Sequence, residues 1–425
     1  MLDIKLIRTT PEVVRKDLQK RKDEAKLDVL EQTIAYDKEW LKAKKEIDDL
    51  RAKRNTLSKE ISETKKKNGD VSNLLREAAD IPKHISLKEE RITFLEAEIK
   101  KNLYNLPNIL HESVPYGEDD TQNTTVKLFG KKPEFKFTLK SHADLIVELG
   151  MADLERAAKI SGARFWILKD EGALLDLALQ RYAVDFMMKK GYHLILPPYM
   201  IKREPYEGVT SMGDFADVLY KIEGEDEYLI ATSEHPLTSM WMNEVLDEKE
   251  LPIKLIGISP CFRKEAGAHG KDMKGIFRGH QFHKIEQIIL CKPEDSWKYH
   301  EEMIQNSIEL FESFDLHFRQ INICTGDIGI VAAKKYDLEA WMPVQNAFRE
   351  VVSCSNCTDY QSRRLDIRYR TPEGNKLVHT LNSTVVATSR AIVALVENFQ
   401  TEKGTIKIPK VLQPYMNGLK EIKKR

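Results

Sequence analysis

The sequence predicts an α+β protein: a long antiparallel α-helical hairpin (a coiled coil), then a larger domain that mixes helices with β-strands. Three observations lead there. Apolar residues repeat at heptad spacing over two consecutive stretches separated by a polar Asn-Gly turn. Charged residues make up 32% of the 425-residue chain, above the usual quarter, which suits a long solvent-exposed helical element. Later in the chain, short β-rich runs such as "KLIGISPCF" and "FHKIEQIIL" are interleaved with amphipathic stretches.

Residues 1 to about 30 read as a short apolar, strand-like opening followed by a helix, with Thr10 at its cap and Pro11 in its first turn. The first heptad stretch follows at Trp40, Ala43, Ile47, Leu50, Arg54, Leu57 and Ile61, with Arg54 as its one interruption. It reaches "KKKNGD", where Asn68-Gly69 is the turn. The second stretch runs through Leu74, Ala78, Ile81, Ile85, Ile92, Leu95, Ile99 and Leu106. Arms of about 30 residues project roughly 45 Å. Pro82 lies inside the second arm and is expected to kink or split it. The first arm is basic, with eleven Lys/Arg against six Asp/Glu from Lys38 to Lys67. On pattern alone it is equally a dimerising coiled coil or an RNA-binding arm, Lys53 and Arg54 lying on it in the latter case.

"NLPNILHESVPYGEDDTQN" reads as a linker, which gives two domains: residues 1–110, with the hairpin arm at about 30–106, and residues 111–425. In the second, "ALLDLALQRYAVDFMMKKGYHLILPP" predicts a helix, a stop at Gly191 and a strand ending on two prolines, and "HADLIVELGMADLERAAKI" predicts a helix. Formal net charge is zero, so a nucleic-acid surface must come from local asymmetry. Five cysteines, an odd number in a large chain, argue against a disulfide framework. No apolar run reaches the ~18 residues of a membrane span, and the N-terminus lacks a signal-peptide core. A cytoplasmic protein without membrane association is expected. P-loop and dinucleotide fingerprints are absent from the sequence.

The chemistry concentrates in "PCFRKEAGAHGKDMKGIFRGHQFHK". A strand delivers Arg263 and Glu265, a glycine-rich basic loop follows, and a returning antiparallel strand carries Phe282, Lys284 and Glu286 on one face. A guanidinium fork matches carboxylate or phosphate, and an aromatic ring stacks on a nucleobase. Arg-x-Glu by itself is more often a surface ion pair; the ensemble suggests a nucleotide site with room for an acidic small molecule.

These residues resemble motif 2 of the class II aminoacyl-tRNA synthetases, and among them the seryl-tRNA synthetases. "GYHLILPPYM" resembles motif 1, its terminal proline being Pro197 or Pro198. "LNSTVVATSRAIVALVENFQ" resembles motif 3, with Arg390 as its arginine, although no glycine precedes that arginine here. "ATSEHPL" is similar to the family's serine loop, and "REVVSCSNCTDYQSRR" to its metal and ATP segment. The resemblance covers essentially the whole chain.

The resemblance implies a catalytic domain with an antiparallel sheet flanked by helices, and an arm that meets the long variable arm of serine tRNA. It implies that Arg263 bridges the ATP α-phosphate and the amino-acid carboxylate, and that Arg390 holds the γ-phosphate end. Phe282 would stack on adenine, with Lys264, Glu265, Gly279, Val351 and Val352 also around ATP. Glu350 and Ser353 would hold Mg²⁺, hard oxygen ligands for a hard cation. Thr232, Ser233, Glu234, Glu286, Asn382 and Thr384 would bind L-serine, with Ser383 nearby. Lys284 is expected in a salt bridge with Glu286. Lys271, Lys274 and Arg278 of the loop would meet the tRNA acceptor end. The family implies a homodimer through motif 1, and serine loading of selenocysteine tRNA as well. Cys354-x-x-Cys357 has no second CxxC, so zinc is not expected. His280 and His283 are expected to orient the loop rather than act as bases, and Trp341 and Met342 to pack. Competing readings are a paralogue that loads a carrier protein, which would lack the full hairpin, and a catalytically silent RNA-binding protein on the same fold.

Overall fold

The computed structural model describes residues 1–211, 217–265 and 274–424. The chain divides into two compact units, Met1–Ile109 and Leu110–Arg425.

The first unit is entirely helical among its named elements. Its opening is a helix and not a strand: α1 spans Ile4–Thr9, where the Asp3 side chain caps by accepting from Lys5 N at 2.8 Å. Pro11 starts α2 (Pro11–Arg21) at N1 as expected, but Thr10 turns its hydroxyl back to Leu6 O instead of capping. Helix α3 (Glu24–Lys66) has 43 residues and is therefore about 65 Å long, beyond the arm length expected. The difference lies at its base, where Leu30, ahead of the first heptad stretch, packs in a small core with Leu18, Leu103 and the heptad residues Ile99 and Leu106. The turn is where the sequence puts it: Asn68 is left-handed and Gly69 N donates to Thr64 O at 2.9 Å.

Helix α4 (Ser72–Asn105) runs through Pro82 without splitting. Ile81 and Ile85 flank the proline and are buried against Ala43, Ile47 and Leu57. Each such burial contributes about 1.5–3 kcal/mol, which matches the ~3 kcal/mol that an interior proline costs. Salt bridges Arg91–Glu39, Lys88–Glu46 and Lys53–Glu77 cross between the two helices and register them antiparallel. The expected linker is only partly a linker: Leu110 and Val114 are buried with Ile321, Ile323 and Ile328 in the second unit.

The second unit is built on an eight-stranded sheet. In chain order its strands are β1 (Thr124–Phe129), β2 (His193–Ile195), β3 (Ile253–Phe262), β4 (Gln281–Cys291), β5 (Phe318–Asn322), β6 (Lys334–Met342), β7 (Ala347–Asn356) and β8 (His379–Ala387). Their order across the sheet is β1-β5-β6-β7-β8-β4-β3-β2. All neighbours are antiparallel except the edge pair β2–β3. Helices α5 (Asp170–Lys189), α6 (Ser296–Glu312) and α7 (Thr388–Phe399) pack on it. One apolar core joins them, including Leu179, Met303, Phe311, Ile289, Leu338, Val352 and Leu395. Gly191, with φ +85°, lets the chain turn sharply from α5 into β2. The predicted helix over "HADLIVELGMADLERAAKI" is two, His142–Glu148 and Leu154–Ser161, because left-handed Gly150 and a two-residue strand intervene.

Candidate active site

Strand alternation builds the site. On β4, Phe282, Lys284 and Glu286 all face one cavity of about 600 Å³. On β8, Asn382 and Thr384 face it from the neighbouring strand, and on β7, Val351, Ser353 and Ser355 do so. Glu350 lies three residues from Ser353, a spacing that alternation alone would put on opposite faces. A bulge brings them together: Leu338 pairs with Val352 and Glu339 with Glu350, leaving Val351 unpaired. A second bulge at Val385 of β8 brings Ala387 to the cavity beside Thr384, and α7 then presents Arg390. Val352, on the far side of the bulged strand, is core.

Charges in the cavity are arranged in two groups with a guanidinium between them. In the first, Lys284 Nζ lies 2.7 Å from Glu286 Oε2, the salt bridge expected, and Thr384 Oγ1 donates to the same oxygen at 3.2 Å. Glu234 accepts from Gln361 Nε2 at 2.9 Å and from Asn382 Nδ2 at 3.0 Å. Burial and the neighbouring Glu286 push its carboxyl up to about 7. Thr232 lines the cavity and its Oγ1 accepts from Glu234 N at 3.2 Å. In the second group, Arg390 Nη1 donates to Glu350 Oε1 at 2.9 Å and to Glu350 O at 3.0 Å. Burial acts to raise Glu350, but Arg390, Lys335 and Arg263 outweigh it and hold the carboxyl at about 2. Arg263 acts on both Glu234 and Glu350, and its guanidinium lies 5.3 Å from the Phe282 ring centre.

Other expected site residues lie elsewhere. Ser233 is buried with its hydroxyl on Gly257 O at 3.3 Å, away from the cavity lining. Lys264 lies over the Tyr220 ring at 5.8 Å. Glu265 accepts from Arg278 Nη1 at 3.2 Å. At Gly279 an added Cβ would sit 2.1 Å from Trp166 Cζ3 and 2.7 Å from Arg164 O, so packing against Trp166 already requires glycine there. Lys274 is exposed. Lys271 lies outside the described residues. Lys53 and Arg54 are on the exposed side of α3, Lys53 paired with Glu77.

His280 Nδ1 bonds Arg263 O at 2.9 Å as expected, whereas His283 Nδ1 bonds Asp176 Oδ2 of α5 at 2.9 Å instead of the loop or backbone. Trp341 and Met342 are buried. Cys354 and Cys357 are buried free thiols, pushed up by burial. The sequence reading missed Lys335, His235 and Cys357 in the cavity wall, and Gln361 behind it. "KKYDLE" did carry a signal for Lys335, since a Lys-x-Asp pair on a strand shares one face; Lys335 Nζ lies 3.1 Å from Asp337 Oδ2.

An anionic chain of phosphates suits the cavity near Arg263 and Arg390, an ammonium suits the Glu234–Glu286 end, and an aromatic face is available at Phe282. Residues 1–110 match the family described as the seryl-tRNA synthetase N-terminal domain, and residues 219–399 the tRNA synthetase class II core domain (G, H, P, S and T). The chain is 53% identical over 422 residues to the serine–tRNA ligase of Methanocella arvoryzae, covering 99% of both chains. It superposes on the seryl-tRNA synthetase of Pyrococcus horikoshii complexed with ATP with TM-score 0.97, at 49% identity and full coverage of both chains. The cytoplasmic serine–tRNA ligase of Naegleria fowleri in complex with AMP gives TM-score 0.92 at 37% identity, with 100% of this chain and 99% of that one covered.

Proposed function

The chain belongs to the seryl-tRNA synthetase family, and from that premise we propose how its cavity activates L-serine with ATP and passes it to serine tRNA. The observation that carries this reading is Arg263 lining the cavity, its charge acting on Glu234 and also on the Glu350 that Arg390 holds. Glu286 and Glu234 bind the serine ammonium, while Thr384, Asn382 and Thr232 surround its hydroxyl. Arg263 grips the serine carboxylate and the α-phosphate together. Phe282 carries adenine, and Arg390 receives the γ-phosphate end.

The residues fit Mg²⁺. Glu350 is held ionised at about 2. Ser353 lines the cavity on the same strand as Glu350, and its hydroxyl is a hard oxygen donor. Glu350 and Ser353 would hold the ion, which when bound neutralises charge on phosphate oxygens. The serine carboxylate then attacks the α-phosphorus in line and pyrophosphate leaves. No protein nucleophile is required; positioning and charge neutralisation by Arg263 and Arg390 lower the barrier. In the second step the tRNA 3′-terminal hydroxyl attacks the seryl-adenylate carbonyl and AMP leaves.

Selectivity follows from pairing. A site built to hydrogen-bond a hydroxyl leaves polar groups unpaired with alanine or glycine. The basic face of α3, with Lys53 and Arg54, meets the tRNA body, and Lys274 and Arg278 meet its acceptor end. Selenocysteine tRNA is charged with serine by the same route. The protein works as a cytoplasmic homodimer, in which a second copy would cover the exposed apolar side chains Leu194, Leu196 and Met200 of the motif 1 region and Leu177 of α5. Among the described residues no helix is long and apolar enough to cross a membrane.

Amino-acid-dependent ATP–pyrophosphate exchange with Mg²⁺, run against all common amino acids, tests the reading. Exchange with serine and not with threonine, alanine or glycine is expected. Exchange driven by a different amino acid would overturn the pocket assignment.

A further inference from the structure

The acidic end of the cavity is backed by a hydrogen-bond chain that the roles above leave unused. Gln361, in the short helix Tyr360–Leu365, is buried. Its Nε2 donates to Val209 O at 3.0 Å and to Glu234 Oε1 at 2.9 Å, and its Oε1 accepts from Thr380 Oγ1 at 2.6 Å. A backbone carbonyl can only accept, so the amide nitrogen must lie on the Val209 side, and that same nitrogen faces Glu234. Asn382 Nδ2 reaches the same carboxylate oxygen at 3.0 Å and Cys357 Sγ at 3.6 Å. Two amide donors thus fill both lone-pair directions of Oε1. A proton has no room there, and neither has a ligand's donor.

We propose that Gln361 is a positioning residue for the amino acid: with Asn382 it saturates Glu234 Oε1 and so makes Oε2 the oxygen that receives the substrate ammonium. The inference rests on the reading of Glu234 as a serine-binding group and adds which oxygen acts and what selects it.

The arrangement carries a pH signature. The charged and titratable groups that act on Glu234 are Glu286 and Lys284 from β4, Arg263 after β3, Cys357, and Tyr206 from the helix Arg203–Val209, whose hydroxyl is pushed well up by burial; His235 is its chain neighbour. Burial, Lys284 and Arg263 hold His235 at about 3, and burial holds the Cys357 thiol protonated, so neither titrates near neutrality. Glu234, at about 7, does. With Oε1 filled, its proton sits on Oε2, where it repels an ammonium. Serine binding therefore weakens as pH falls through about 7. The Gln361 N–H favours the ionised form, so removing it moves the inflection to higher pH.

The test is the KM for serine and for ATP across the neutral pH range in Gln361→Met, which loses both donors at similar size, with thermal melting alongside. The expected result is a roughly tenfold or greater rise in serine KM, an unchanged ATP KM, and an inflection raised by about one pH unit. A raised serine KM with the inflection unmoved would mean packing alone and overturn the positioning role. Should Gln361→Met fail to fold, Thr380→Val removes the hydroxyl that anchors Gln361 and must move the inflection in the same direction by a smaller amount. Glu234→Gln separates the two layers. Serine KM insensitive to Glu234→Gln sinks the underlying assignment. Serine KM sensitive to it, with both the Gln361 and Thr380 variants keeping the wild-type inflection, sinks this inference alone.

Discussion

Replacing Glu286 by Gln removes one charge at nearly constant shape, and the structure separates its two consequences. Glu286 is 2% exposed and pairs with a buried Lys284 at 2.7 Å. Its neutralisation leaves that ammonium with Glu234 as its remaining nearby acid, which destabilises the fold by up to about 3 kcal/mol. Independently, the substrate ammonium loses a charge-assisted partner worth about 1.5–3 kcal/mol, a factor of roughly 10 to 150 in kcat/KM for serine. Thr384 Oγ1 still finds the amide oxygen, so the hydroxyl side of the pocket is less affected. ATP meets other residues, and its KM stays at the wild-type value. Pyrophosphate exchange at varied serine and varied ATP, together with thermal melting, reads all three quantities. The double variant Lys284→Met, Glu286→Gln decides between the consequences: it regains melting temperature without regaining serine use. A folded Glu286→Gln enzyme with wild-type serine kinetics would refute the reasoning. So would a double variant that recovers both, since the loss would then be one of stability only.

Glu350→Gln removes the carboxylate that Arg390 holds ionised at about 2, so exchange should require roughly tenfold or more Mg²⁺, and Mn²⁺ titration with ATP present should show matching weakened binding; chelation should abolish wild-type exchange and added Mg²⁺ restore it. Arg278→Ala breaks the contact with Glu265 and withdraws a cation from the tRNA acceptor end, so single-turnover transfer should fall further than pyrophosphate exchange; equal losses count against a tRNA role. Leu196 is 70% exposed, and Leu196→Glu should shift the species seen by sedimentation from dimer to monomer; unchanged sedimentation would place the interface elsewhere.

Where a periodicity governs the structure, the sequence was read well. The heptads gave both long helices and their turn, because burial along a helix pair repeats at that spacing: Ala43, Ile47, Leu57, Ile81, Ile85 and Ile92 form the seam. Alternation placed Phe282, Lys284 and Glu286 on one face of β4. Local patterns failed where an element is too short to show a period or where a distant partner decides. The α1 helix is too short to show a period, and it is set by an Asp3 cap. Pro82 stays inside α4 because apolar burial on both sides offsets its missing hydrogen bond. Gln361 lies in a quoted segment, yet its importance comes from Val209, Thr380 and Glu234, all far from it in the chain.

The bulges show why residue identities can be legible when geometry is not. Family resemblance selects Glu350 and Ser353 together, whereas plain strand alternation would send their side chains to opposite faces. One unpaired residue, Val351, resolves the conflict, and it does so through the register with β6. The same device at Val385 lets β8 present Asn382 and Thr384 to one group of charges and still deliver Arg390 to the other. The bulge at Val351 keeps Glu350 and Ser353 on one wall, and the bulge at Val385 lies between Thr384 of the acidic end and Ala387, which leads to Arg390. Regular strands would expose only every second residue, and the cavity would then lack either its carboxylate at Glu350 or its hydroxyl at Ser353. Deleting Val351 would leave the pairs Glu339–Glu350 and Leu338–Val352 in regular alternation, with Glu350 and Ser353 two positions apart on one face, so the extra residue is what their three-residue spacing requires.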